Sequence, residues 1–292
     1  MTGINSTKAQ SENLKIAKTI KLFIGGEFPR TESGRSFPVY VHKTKKIYAN
    51  LCLASRKDLR NAVTAAQAAQ PGWQAKSAYN RGQILYRMAE MLEAKRVETV
   101  ETLVSTLGYT EKAANAAVDE AVDSFVYYAG FSDKYQQVLG AVNPVSGPHH
   151  NFTSTEPVGV VALVADEKFD LGKLADQIAS IIVTGNSLVV LMAEQGSACI
   201  APLSEALATS DLSKGVVNLL TGSLDELCAH LATHMEIQAV SFQSGDKKKL
   251  ALVKTEGAMN MKRIASKTNS RNNLENLMNF VEFKTVWHPI GN

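Results

Sequence analysis

Apolar positions recur with helical spacing from Lys57 to about residue 140, whereas from Val158 onward short apolar runs of strand length alternate with amphipathic segments. In the first part, KLFIGGEF (Lys21 to Phe28) alternates around Gly25-Gly26. This predicts a tight hairpin, because two adjacent glycines accept the positive φ angles of such a turn. An extended stretch is predicted from Ser36 to Leu53, followed by three helices. The first runs from Lys57 to Gln70 and is stopped by Pro71-Gly72; the second runs from Tyr79 to about Leu107, before Gly108; the third runs from Glu111 to about Leu139, before Gly140. Proline cannot continue the hydrogen-bond ladder, and glycine accepts the left-handed residue that closes a helix. Residues 1–20 are polar and read as a disordered tail.

From Ala141 the pattern turns irregular, then alternating and polar (His149, Asn151, Thr153, Thr155), which predicts an exposed two-stranded ribbon over residues 141–157. The strand–helix regime comes next. VGVVALVA (Val158 to Ala165), SLVVL (Ser187 to Leu191), GVVNLLTG (Gly215 to Gly222) and IQAVSF (Ile237 to Phe242) read as strands, each followed by a helix. The repeated order predicts an α/β fold: a doubly wound parallel sheet covered on both faces and preceded by a helical segment. Such sheets bind ligands at the carboxyl ends of their strands, where helix N-termini offer unpaired N–H groups. The tail, from about Ser266, reads as a polar linker, a short helix (LENLMNF) and a strand, VEFKTVWHP.

Composition narrows the function classes. With 31 basic and 28 acidic residues among 292, the net charge of +3 supplies no field that would draw in nucleic acid or an anionic membrane. No apolar run reaches membrane-spanning length and no leader is visible, so a cytoplasmic protein is expected. Cys52, Cys199 and Cys228 are odd in number and lack CxxC spacing, which argues against a disulfide framework or a zinc ribbon.

Several segments resemble, in the same order, the first half of the aldehyde dehydrogenase superfamily: KLFIGGEF, SAYNRGQILYRMAEMLE, TSTEPVGVVALV, ASIIVTGNSLVVL, KGVVNLLTG and HMEIQAVSF. The similarity covers about residues 20–260. FVEFKTVWHP resembles the family's terminal strand, part of its oligomerisation ribbon. The resemblance implies a Rossmann-like NAD-binding domain over residues 21–265, with the linker and oligomerisation strand in 266–292. In the family a catalytic domain with the nucleophilic cysteine stands between those parts. Here about Met261 to Asn273 bridges the gap, so the apolar surface that a catalytic domain would cover is expected to need another cover.

The resemblance also locates altered positions. The family's PWNF segment aligns with Asp166-Glu167-Lys168-Phe169, so Lys168 stands where the oxyanion-hole asparagine is expected; the residue-level reading is a solvated lysine at a strand end. Loss of one oxyanion donor costs roughly 100- to 1000-fold in turnover. The ribose-binding lysine of KPSE aligns with Leu191, while Glu194 is kept. The FTGS segment reads Phe242-Gln243-Ser244-Gly245-Asp246, adding side chains and a negative charge where the pyrophosphate would approach. A degraded cofactor site is therefore expected at Glu194, Gly222, Phe242, Ser244 and Gly245, with NAD(P) held weakly or not at all.

Other candidates carry less. The three cysteines read as buried structural thiols, and Lys247, Lys248 and Lys249 read as a solvated face rather than an anion site. His230 and His234 have i, i+4 spacing, but the intervening residues lack the HExxH glutamate and no third ligand follows, so no metal is expected. His149-His150 reads as an exposed turn. Three functions stay open: a non-catalytic pseudoenzyme that assembles with itself or an intact aldehyde dehydrogenase through 141–157 and 280–288; a weak NAD(P)-binding regulatory module; or a dehydrogenase completed by a partner chain.

Overall fold

The structure is a computed structural model describing residues 18–266 and 270–291. The polar tail expected over residues 1–20 lies outside the described residues up to position 17. Its last two residues form a strand instead, β1 (Thr19–Ile20), which joins β2 (Ser36–Tyr40) and β3 (Ile47–Cys52) in a small sheet of order β1-β3-β2. The glycine hairpin is present: Ile24 bridges Glu27, with Gly25 and Gly26 at φ 63° and 76°. The stretch expected to be extended from Ser36 to Leu53 is two antiparallel strands. It reverses between Val41 and Lys46, where the Val41 N–H donates to the Lys46 carbonyl at 2.8 Å.

The helical part departs from its predicted ends in instructive ways. α1 (Arg56–Gln74) starts on a Ser55–Asp58 capping box and runs through Pro71. Proline removes one ladder bond near the helix end, and Trp73 beyond it is fully buried with its Nε1–H donating to the Ile182 carbonyl at 2.7 Å. That anchorage outweighs a local preference to stop. The predicted second helix is two, α2 (Ala78–Ala94) and α3 (Arg96–Leu107), with Lys95 between them at φ −95°, ψ 9°. Gly108 closes α3 in the left-handed region, as expected. The third helix likewise divides into α4 (Glu111–Phe131) and α5 (Tyr135–Leu139), and Gly140 is extended rather than left-handed. Apolar spacing continues across each break because both pieces pack on the same core.

β4 (Ala141–Asn143) and β5 (His149–Pro157) form the ribbon, leading into β6 (Val160–Val164), α6 (Leu171–Ile182), β7 (Ser187–Met192), α7 (Ile200–Ala208) and β8 (Val217–Thr221). Then come α8 (Leu224–Thr233), β9 (Ala239–Phe242), α9 (Lys247–Gly257) and β10 (Arg263–Ser266). The five parallel strands lie in the order β10-β9-β6-β7-β8. This is the doubly wound arrangement predicted, with the topological switch between β6 and β9. Alternate side chains enter two cores: Val161, Leu163 and Val190 pack with Phe125 and Ile178, whereas Val160, Ala162 and Val164 pack with Leu59 and Leu227. Both faces being covered explains why these strands read as unbroken apolar runs.

α10 (Leu274–Met278) and β11 (Val281–Pro289) end the chain. The stretch read as a bridge, about Met261 to Asn273, contains structure that periodicity missed, since β10 is too short to show an alternation. It also contains a docking segment. Asp176 of α6, almost fully buried, accepts hydrogen bonds from the Asn272 N–H (2.6 Å), Asn276 Nδ2 (2.8 Å) and the Tyr128 hydroxyl (3.1 Å). Leu277, Phe280 and Val281 are buried, and the Phe280 carbonyl accepts from Asn186 Nδ2 at 2.8 Å. Residues 272–281 thus dock on α6. Among the described residues no helix is long and apolar enough to cross a membrane.

Candidate nucleotide cleft

A cleft of about 440 Å³ opens at the carboxyl ends of β6, β7 and β8. Strand ends supply its floor through Val164, Leu191 and Met192; Glu194 and Gly222 stand on the loops leaving β7 and β8. Leu191 keeps its side chain in the core, so this position presents no charge to the cleft. The loop after β7 turns through Gly196 at φ 79°, and Phe169 lies so close that an added Cβ there would clash with its ring. The loops after β6 and β7 are packed together at that point.

The switch point itself is bridged by a carboxylate. Glu167, on the loop after β6, accepts a hydrogen bond from the Ser244 hydroxyl and another from the Gly245 N–H at 2.9 Å, both on the loop after β9. Burial raises the Glu167 carboxyl, but these two donors outweigh it and hold the group below the usual range. Asp246 caps α9, accepting from the Lys248 and Lys249 N–H groups at 2.9 and 3.1 Å. The Lys249 ammonium pairs with Asp225 at 2.8 Å and Asp246 at 2.9 Å, which raises its pKa. The lysine run is therefore not uniformly a solvated face: Lys247 and Lys248 are exposed, and Lys249 is committed to two carboxylates.

The structure brings Glu194 and Gly222 to one cleft, and Ser244 and Gly245 to Glu167; Phe242 sits wholly in the core. Lys168 is exposed, its N–H donating to Asp166 Oδ1 at 3.2 Å. Cys52, Cys199 and Cys228 are unpaired and buried, and burial pushes the Cys199 thiol up to about 12 and raises Cys228 as well. A thiol held protonated in this way is a poor nucleophile. His234 lies just beyond α8 with Nδ1 accepting from the Glu236 N–H at 3.3 Å, and burial lowers its pKa. His149 sits edge-on to Trp287 at 5.8 Å within the ribbon rather than in a free turn. Among the described residues no three His, Cys, Asp or Glu side chains gather as a metal site. Glu167, Asp225 and Asp176 were not singled out from sequence; the strand-end position of Glu167 was the one available signal.

Parallel strands wound in this order, with a cleft at their carboxyl ends, define the nucleotide-binding class of α/β domains. Residues 28–274 match the aldehyde dehydrogenase family, and the chain belongs to that family. It is 29% identical over 269 residues to retinal dehydrogenase 2 of Homo sapiens, covering 90% of this chain and 51% of that protein. It is 31% identical over 265 residues to an aldehyde dehydrogenase of Enchytraeus buchholzi, covering 87% and 51%. The solved NAD+ complex of aldehyde dehydrogenase from Bacillus cereus matches with a TM-score of 0.80 at 26% identity, covering 85% of this chain and 50% of that one. The sheet and its helices are thus the family's Rossmann-like NAD-binding fold. The chain spans about half the length of the relatives it matches. The family match stops before β11.

Proposed function

We propose that this chain is a non-catalytic member of the aldehyde dehydrogenase family that works by assembly, joining a second copy of itself or an intact aldehyde dehydrogenase through 141–157 and 280–288. The observation that carries the reading is the state of β11. Among the described residues it has a neighbour on one side, β5, and eight of its nine residues are exposed. Phe283 and Trp287 are 48% and 60% accessible. A long strand edge bearing large apolar side chains is a template for pairing with another chain. The absence of chemistry is supported by the exposed Lys168 at the oxyanion position and by three thiols enclosed in the core. Buried unpaired thiols also suit a reducing compartment such as the cytosol.

Size-exclusion chromatography with light scattering tests the proposal: a dimer, a larger homomer or a co-eluting heteromer is expected. A clean monomer that captures no aldehyde dehydrogenase in a pull-down would sink it. The cleft favours a second reading, a nucleotide-binding module with low NAD(P) affinity, in which Glu194 and Gly222 would face the adenosine half. Calorimetric titration with millimolar NAD(P) distinguishes the two, and turnover of an aldehyde with NAD by the isolated chain would overturn both.

A further inference from the structure

Three of the chain's six histidines, His149, His150 and His288, stand at the outer end of the ribbon, and strand pairing brings two of them together. β5 and β11 run antiparallel with His150 directly opposite His288. Directly opposed residues of an antiparallel pair project to the same face, with their Cβ atoms about 4.5–5.5 Å apart. Two imidazoles at that separation can reach a common ion, each placing a nitrogen about 2.0–2.1 Å from it. The alternation of side chains along a strand leaves His149 out of this pair. It turns to the opposite face, where its ring meets Trp287 edge-on at 5.8 Å. Reading His149-His150 as an exposed turn misses the arrangement, because the partner of His150 lies on the last strand of the chain.

Three features suit the pair to an ion. Both histidines are exposed, so an ion can approach from solvent. The strands are held together on either side of them: Val286 pairs with Phe152 before, and the Ile290 N–H donates to the Pro148 carbonyl at 3.0 Å beyond. The neighbours on the same face are apolar, with the His150 ring 5.5 Å from that of Phe152. Lys284 stands two pairs further along this face and is drawn to Glu156 at 3.7 Å, so its charge is turned away from the histidines. Imidazole nitrogen suits zinc, copper and nickel, whereas magnesium and calcium demand oxygen ligands. We propose that His150 and His288 together bind a divalent transition-metal ion of the zinc type, and that the ion clips β11 onto β5. The inference goes beyond the assembly proposed above and does not depend on it. Both ligands belong to one chain, so the site forms in a monomer and in an assembly alike.

Calorimetric titration of the full chain with zinc chloride tests it, with magnesium chloride as the control. The native protein is expected to take up zinc and no magnesium. His150→Ala and His288→Ala should each weaken zinc binding at least about tenfold, whereas His149→Ala and His230→Ala should leave it within about twofold. Hydrogen exchange supplies a second readout: zinc should slow the exchange of β11 amides in the native protein and not in His288→Ala. Because both ligands are exposed, their removal should leave the metal-free thermal midpoint unchanged, which separates loss of a ligand from loss of the fold. No zinc uptake at millimolar concentration would overturn the proposal. So would uptake that survives the loss of both His150 and His288, an equal weakening in His149→Ala, or β11 exchange that zinc leaves unmoved.

Discussion

β6 and β11 are both strands rich in apolar residues, yet they meet opposite fates. Every residue of β6 is buried, whereas in β11 only Val281 is. β6 has partners on both sides and helices on both faces; among the described residues β11 pairs with β5 alone. The contrast separates what the chain uses to fold from what it offers outward. A buried parallel strand serves the core, and its side chains can be read as stability. An exposed antiparallel edge adds little to the core, and its apolar side chains need an explanation outside the monomer.

That comparison can be broken most forcefully in the core. Leu163→Ala in β6 should cost about 2–5 kcal/mol, measured by urea denaturation, whereas Trp287→Ala in β11 should change monomer stability by less than about 0.5 kcal/mol. Equal losses at the two positions would erase the distinction. Next in size is the clasp between the two regions. Asp176→Ala leaves the Asn272 N–H and Asn276 Nδ2 without their shared acceptor and should cost about 3 kcal/mol, with faster proteolysis around residues 270–280. Loss of stability without that local exposure would mean that the clasp is not what holds β11 in place.

A smaller effect on stability, but a decisive one for function, is expected from Phe283→Lys with Trp287→Glu. The pair should convert the proposed assembly to monomer by light scattering and leave the thermal midpoint of the fold nearly unchanged. Persistence of the oligomer would move the interface elsewhere. The smallest effects are the pH dependences of two carboxylates, which run in opposite senses. Burial raises Asp176, so its contribution is fully present below the ordinary aspartate range and is lost as pH rises through the folded value. Glu167 is lowered, so its contribution is present above the ordinary glutamate range and is lost as pH falls through the folded value. Thermal midpoints of Asp176→Asn and Glu167→Gln against the native protein, over about pH 3 to 7, should show slopes of opposite sign.

The architecture was legible because its signals are local. The four strands from VGVVALVA to IQAVSF, the Asp246 helix start and the Gly25-Gly26 turn each depend on residues a few positions apart. Helix ends were less so: Pro71 lies inside α1 because Trp73 is anchored to the Ile182 carbonyl, a contact 109 residues away in sequence. The residues that stand at the strand ends were legible too, at Lys168, Leu191 and the stretch from Gln243 to Asp246. Their consequences were not.

Local patterns along the chain suffice for the class of fold, the family, and the places where charged or bulky residues stand in a nucleotide-binding frame. Which residues partner one another is settled in three dimensions. Glu167 meets Ser244 and Gly245 across 77 and 78 residues, Lys249 meets Asp225, and Asp176 meets Asn276 across 100 residues. Periodicity records which face of an element is apolar, and that suffices to place the element against a core. The direction of a hydrogen bond between two loops depends on where the whole sheet sets them down, and no pattern along the chain encodes it.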